Sequence, residues 1–205
     1  MTAVGDQDLA MSLLRTADRL LRGFDRNEQE ALRGDLAKVV AAAGDYAAAE
    51  QLAEGIFDTG EQALVLAKIA EAAAAADDHD RVAELTDMVE ELRSLATNTN
   101  LLVQALTALV EAVTATGDHG RAETLAHAIP EPDQQAWTLA QLAKAAEPAQ
   151  AVRLIAEAFH QGRWTIPLAS LAALDPSVVQ MLADEHASRH TLRAASGQTL
   201  APPSA

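Results

Sequence analysis

The sequence predicts an all-α protein made of stacked antiparallel helix pairs, and three observations carry that prediction. The first is composition: 47 of the 205 residues are alanine and 27 are leucine, whereas aromatics make up only 3%. So much Ala and Leu, with few aromatic residues, opposes a sheet protein. The second is self-similarity. AAAGDYAAAEQLAEGI (Ala41 to Ile56) returns as TATGDHGRAETLAHAI (Thr114 to Ile129). Between them lies AAADDHDRVAELTDMV (Ala74 to Val89), with Asp77 in the glycine's place. A looser copy, KAAEPAQAVRLIAEAF (Lys144 to Phe159), has its turn shortened around Pro148. The third is spacing. Matching turns fall at Gly44, Asp77 and Gly117, and a period of roughly 34 residues is that of a helix–turn–helix unit.

Taken in chain order, residues 7–23 read as an amphipathic capping helix whose Leu9, Leu13, Leu14, Leu20 and Leu21 cover the first pair. The repeats run over about 27–160. Each first helix carries apolar residues at helical spacing: Leu36, Val39 and Val40; Leu66, Ile69, Ala70 and Ala73; Leu106, Leu109, Val110 and Val113; Leu139, Leu142, Ala143 and Ala146. A Gly-Asp or Asp-Asp pair ends it, the first residue taking a left-handed turn and the aspartate capping the next helix. The second helices show Ala49, Leu52, Ala53 and Ile56; Val82, Leu85 and Val89; Ala122, Leu125, Ala126 and Ile129. Polar runs at Asp58–Gly60, Thr97–Asn100 and Pro130–Asp133 separate the units. Capping helices are expected over about 165–190. Pro167 stands in the first turn of one, and Asp175-Pro176 precedes another in which Val178, Val179, Leu182 and Ala183 face inward. Residues 1–194 thus read as one domain and 195–205 as a disordered tail.

Charge narrows the function classes. The formal net charge is −15, and residues 41–91 hold 13 acids against two bases, Lys68 and Arg81. That field repels phosphate, so direct nucleic-acid binding is not expected; a basic partner would be attracted. Within it, Asp77, Asp78, Asp80, Glu84 and Asp87 form the densest acidic patch. The plain alternative is that these acids keep alanine-rich helices soluble. No cysteine is present, which removes disulfides, cysteine–zinc sites and thiol catalysis. No run approaches about 18 uncharged apolar residues, so no membrane span is expected. The first residues lack a basic segment ahead of their short apolar stretch, unlike an export signal. A cytoplasmic location follows as the expectation.

At Leu36-Ala37, Gly44-Asp45-Tyr46 and Ala49 the sequence resembles the tetratricopeptide repeat (TPR), and Leu109, Gly117-Asp118-His119 and Ala122 fit the same frame. It is similar to a divergent actinobacterial form in which GD-[YH]-x-x-A-E-x-L-A is followed by I-P-x-P, here Ile129-Pro130-Glu131-Pro132. The resemblance covers roughly residues 30–160 and implies an α-solenoid of about four repeats with capping helices. The family's aromatics are replaced by Ala, Val and Leu, which implies closer helices and a shallower groove. The resemblance also implies binding rather than chemistry. Groove-facing places on the first helices would hold Lys38, Glu71, Gln104, Thr107, Glu111, Trp137 and Lys144. Trp137 is either an interface anchor, as scarce large aromatics often are, or a core filler between the third and fourth pairs.

Candidate chemistry is thin. His186 and His190 lie four apart on one helix face, as a two-point metal site requires, but HASRH supplies no third ligand. His79 and His119 occupy the turn place that Tyr46 takes in the first pair. The DDHD run from Asp77 to Asp80 lacks the glycine and glutamate of a calcium loop. There is no phosphate-cradling glycine loop and no nucleophile elbow. The expectation is therefore a non-catalytic adaptor, with no cofactor and no metal, that binds a protein or peptide through its concave groove. The alternative is an acidic decoy or neutraliser that mimics nucleic acid or sequesters a basic partner through residues 41–91. A small-molecule site in the groove is a further possibility.

Overall fold

The computed structural model describes residues 23–174 together with positions 19 and 177. Among these residues the protein is all-helical and contains no strand. The helices are α1 (Arg26–Ala42), α2 (Tyr46–Glu54), α3 (Thr59–Ala75), α4 (His79–Arg93), α5 (Thr99–Ala115), α6 (His119–His127), α7 (Pro132–Leu142), α8 (Pro148–Gln161) and α9 (Leu168–Leu174). None of the described helices is long and apolar enough to cross a membrane. The capping segment at 7–23, the stretch after residue 174, and the tail lie outside the described residues, apart from positions 19, 23 and 177.

Short polar side chains start nearly every helix. Asp25 and Glu28 form a reciprocal capping box on α1: the Asp25 carboxylate accepts from the Glu28 N–H at 2.9 Å, and the Asp25 N–H donates to the Glu28 carboxylate at 3.1 Å. The turn aspartates do what their position predicts. Asp45, Asp78 and Asp118 cap α2, α4 and α6, accepting from the N–H three residues on at 3.0–3.1 Å. The runs that separate the units are caps as well: Asp58 starts α3, Asn98 starts α5, and Glu131 starts α7 with Pro132 at the first helical position.

The turns share one backbone solution. Gly44 and Gly117 take φ of +87° and +85°, and Asp77 takes +59° at the matching place. The left-handed conformation directs the chain into the following cap, and glycine reaches it without the steric cost that a Cβ brings. Asp77 bears that cost.

Packing follows the helix pairs. Each helix from α1 to α7 packs on the next in sequence, α7 packs on α8, and α1, α3, α5 and α7 also pack on one another in succession. One continuous apolar core runs from Ala37 on α1 to Ala158 on α8. Its large members, Leu66, Ile69, Leu85, Leu106, Leu109, Leu125, Leu139 and Leu154, are essentially inaccessible to solvent. Each such side chain stabilises the fold by about 1.5–3 kcal/mol relative to exposure. Small residues set the approach of the first helices. A Cβ on Gly60 of α3 would stand 3.2 Å from the Cβ of Leu101 on α5.

The apolar stripes expected of the second and third first-helices and of the second helices are buried throughout. The first pair departs from this: Leu36 and Val40 are half-buried, and Val39 is 66% exposed. On α1 the buried face is Gly34, Ala37 and Ala41, a narrow small-residue strip turned toward the next unit. Val39 falls off that strip, so apolar character alone misassigned it.

Substituting Gly44 or Gly117 by alanine is expected to cost about 1 kcal/mol each. A new Cβ there meets nothing within 4 Å, so the cost is purely backbone. Asp77→Gly is expected to stabilise by up to about 1 kcal/mol through the same term. Urea unfolding midpoints check both signs.

Candidate functional site

The first helices bring polar side chains to a shared surface. On α3, Leu64, Lys68 and Glu71 recur at helical spacing, and on α5 Gln104, Thr107 and Glu111 do the same. With Val103 and Ala108 of α5 and Gln134 of α7, these residues line a cleft of about 270 Å³. Leu64, Val103 and Ala108 give it an apolar floor.

Internal contacts hold part of this lining in place. Lys68 Nζ donates to both carboxylate oxygens of Glu71 at 2.9 Å. The Thr107 hydroxyl donates to the Val103 carbonyl at 2.8 Å and accepts from Gln134 Nε2 at 3.4 Å, which links α5 to α7. Gln104 and Glu111 are exposed, and neither has a hydrogen-bond or ion-pair partner among the described residues.

Four of the seven groove residues expected from the sequence, Glu71, Gln104, Thr107 and Glu111, therefore share one cleft. The other three do not line it. Lys38 on α1 pairs with Asp35 at 3.0 Å. Trp137 on α7 is 38% exposed, which removes the core-filler alternative. Lys144 does not stand on a first helix at all, because α7 ends at Leu142 and Lys144 lies in the turn beyond it. The fourth unit is shorter for a local reason: Pro148 favours extended backbone at Glu147, which has ψ of 150°. Lys68 and Gln134 were missed. The signal for Lys68 was available, since it sits one helical turn before Glu71 on the same face.

A second constellation lies on the second helices. Arg81 of α4 reaches Glu50 of α2 at 3.1 Å, and Arg121 of α6 reaches Glu90 of α4 at 3.0 Å. Arg153 of α8 grips Glu123 of α6 with two parallel bonds of 2.6 and 2.7 Å. Beyond the last of these, Arg163 binds Asp133 at the start of α7 at 2.6 Å. Each pair joins residues 30 or 31 positions apart. Sequence reasoning overlooked this ladder, although an arginine three residues after a capping aspartate at both Arg81 and Arg121 was visible.

The ladder takes up part of the acidic patch. Glu84 pairs with Arg81 at 2.9 Å and Asp87 with Arg121. Asp78 caps α4 and Asp77 makes its turn; Asp80 is exposed in the first turn of α4, where the helix dipole favours an acid. The electrostatics differ along the ladder. Hydrogen bonding from Arg153 holds the Glu123 carboxyl down at about 2. Burial pushes Glu50 above its ordinary value despite Arg81. The Arg163 backbone N–H, backed by its side chain, lowers Asp133.

Glu123, His127 and Glu157 present one ligand atom each within 4.8 Å of one another. The guanidinium of Arg153 already bridges the two carboxylates there. Of the turn histidines, His79 is exposed, and His119 keeps its Nδ1 buried without a hydrogen-bond partner. His186 and His190 lie outside the described residues. No protein-family model, curated protein or solved structure matches this chain.

The Glu123 pair yields a pH prediction. A carboxyl lowered from 4.5 to about 2 in the folded state contributes stability that is present above pH 4.5 and lost as pH falls toward 2. Glu123→Gln is expected to remove that component, giving a flatter loss of stability over this window than the wild type shows. Urea midpoints at a series of pH values measure it, and parallel profiles would show that the pair is not formed in solution.

Proposed function

We propose that this chain is a non-catalytic, TPR-like α-solenoid that serves in the cytoplasm as an adaptor. It binds a partner protein or peptide through the face formed by successive first helices and requires no cofactor. The single observation that carries the reading is the cleft between α3, α5 and α7. Four of the seven polar residues that the resemblance assigns to the groove converge there beside Leu64, Val103 and Ala108. The succession of contacts α1–α3–α5–α7, the shared left-handed turn and the ion-pair ladder at repeat spacing support an α-solenoid arrangement. Exposed Trp137 on α7 adds a side chain of the type that anchors interfaces.

An acidic decoy draws less support, because Glu84 and Asp87 spend their charge on arginines of this chain and Asp78 on a helix start.

Gln104→Trp fills the cleft from an exposed position, whereas Glu90→Gln alters only the ladder. Partners co-precipitated from the native host by the wild type are expected to be lost with Gln104→Trp and kept with Glu90→Gln. Retention of the same partners by both variants rejects the groove as the binding face.

A further inference from the structure

We infer that the cleft between α3 and α5 selects a linear segment of another protein that presents a lysine or arginine. The inference rests on the groove being the partner site and specifies what enters it. Charge complementarity decides the sign. Of the two acids in the lining, Glu71 is neutralised by both of its contacts with Lys68, and Glu111 has no cationic partner among the described residues. The lining as a whole, two carboxylates against one ammonium, is net negative within a chain of net charge −15. An anionic ligand is repelled by the field, and a cation is concentrated by it.

Shape and polarity refine the occupant. The cleft volume of about 270 Å³ is suited to one long side chain with its adjoining backbone. It falls just short of the roughly 300–1,000 Å³ that encloses a drug-sized molecule. The floor of Leu64, Val103 and Ala108 accepts the aliphatic stem of a lysine or arginine while its head reaches Glu111. Gln104, with both its amide donor and acceptor free, can pair with the main chain of an extended segment. Lys68, the one ammonium in the lining, pairs with Glu71 and makes no contact with Glu111.

The probe is a phage-displayed library of random twelve-residue peptides selected on the full-length protein, with enriched sequences synthesised for fluorescence anisotropy. Enriched peptides are expected to share a Lys or Arg, to bind about tenfold more weakly to Glu111→Gln, and to lose binding to Gln104→Trp. Glu84→Gln, which removes an equal charge outside the cleft, is expected to leave affinity unchanged. Circular dichroism confirms that each variant is folded. Peptides that lack a common cation, or that bind Glu111→Gln as well as wild type yet fail on Gln104→Trp, overturn the cation inference and leave the groove intact. Equal weakening by Glu84→Gln overturns it as nonspecific attraction. Indifference to Gln104→Trp overturns both the inference and the groove reading. A library that yields no enriched sequence overturns the inference alone, since the proposed adaptor role is judged separately by co-precipitation.

Discussion

The approach of α3 to α5 governs where the polar groups of those two helices come to rest in the cleft. The buried faces of these two helices are rich in alanine: Ala63, Ala67, Ala70 and Ala73 on one, Ala105, Ala108 and Ala112 on the other. Alanine adds no rotamer entropy to the cost of folding and holds neighbouring helices to a short separation. At Gly60 the helices come so near that even one added carbon would be tight. Larger residues in this seam would push α5 away and separate Glu71 from Gln104, Thr107 and Glu111. The alanine content that first identifies the protein as helical is therefore also what makes a shared cleft geometrically available.

Ion pairs on the second helices complement this apolar seam in a different way. Arg81 and Arg121 each sit in the first turn of a helix, where the positive end of the dipole disfavours a cation. Glu50 and Glu90 on the preceding helices offset part of that penalty, and Glu84 on Arg81's own helix contributes as well. Partly exposed pairs of this kind contribute about 0–1 kcal/mol each, so the ladder adds little to total stability. Its effect is on register: a slip by one helical turn would break the Arg81–Glu50 and Arg153–Glu123 pairs, while Glu84 would stay beside Arg81. Arg153 and Glu123 extend the pattern with the best geometry of the series, two parallel bonds.

Much of the fold was legible because it is written in local chemistry. Caps at Asp45, Asp78 and Asp118 and the left-handed turn at Gly44 and Gly117 depend on a few adjacent residues, and even the exception at Asp77 was marked by alignment with the glycines. The periodic stripes of α3 and α5 point inward as their spacing requires. Legibility fails where a position depends on what the neighbouring unit presents. Val39 has the right period and hydropathy, yet α1 meets α3 through Gly34, Ala37 and Ala41. Lys144 has the right repeat number, but Pro148 and the short α7 leave it beyond the helix end. The ladder joins residues 30 or 31 positions apart, a spacing that stands out only after the helix pairs have been stacked. Glu71, Gln104, Thr107 and Glu111 share one cleft, whereas Lys38, Trp137 and Lys144, placed by the same resemblance, do not line it.

The cleft is also preorganised in a way that separates its scaffold from its free groups. Lys68 with Glu71, and Thr107 with Gln134, are tied within and between helices before any ligand arrives. Fixing these side chains beforehand lowers the ordering cost of association, at about 0.5–1.5 kcal/mol for each flexible side chain that would otherwise be immobilised. Gln104 and Glu111 are left with unfilled hydrogen-bonding capacity on the same helix face, one full heptad apart. Two turns of an α-helix span about 10 Å, close to the length of three extended residues. On the reading proposed above, a segment lying along α5 places a main-chain amide at Gln104 and a cationic head at Glu111 while its aliphatic atoms cover Ala108 between them. Selectivity in such an arrangement would come from Glu111, because an apolar or acidic residue brought to that point would desolvate the carboxylate and return no compensating contact.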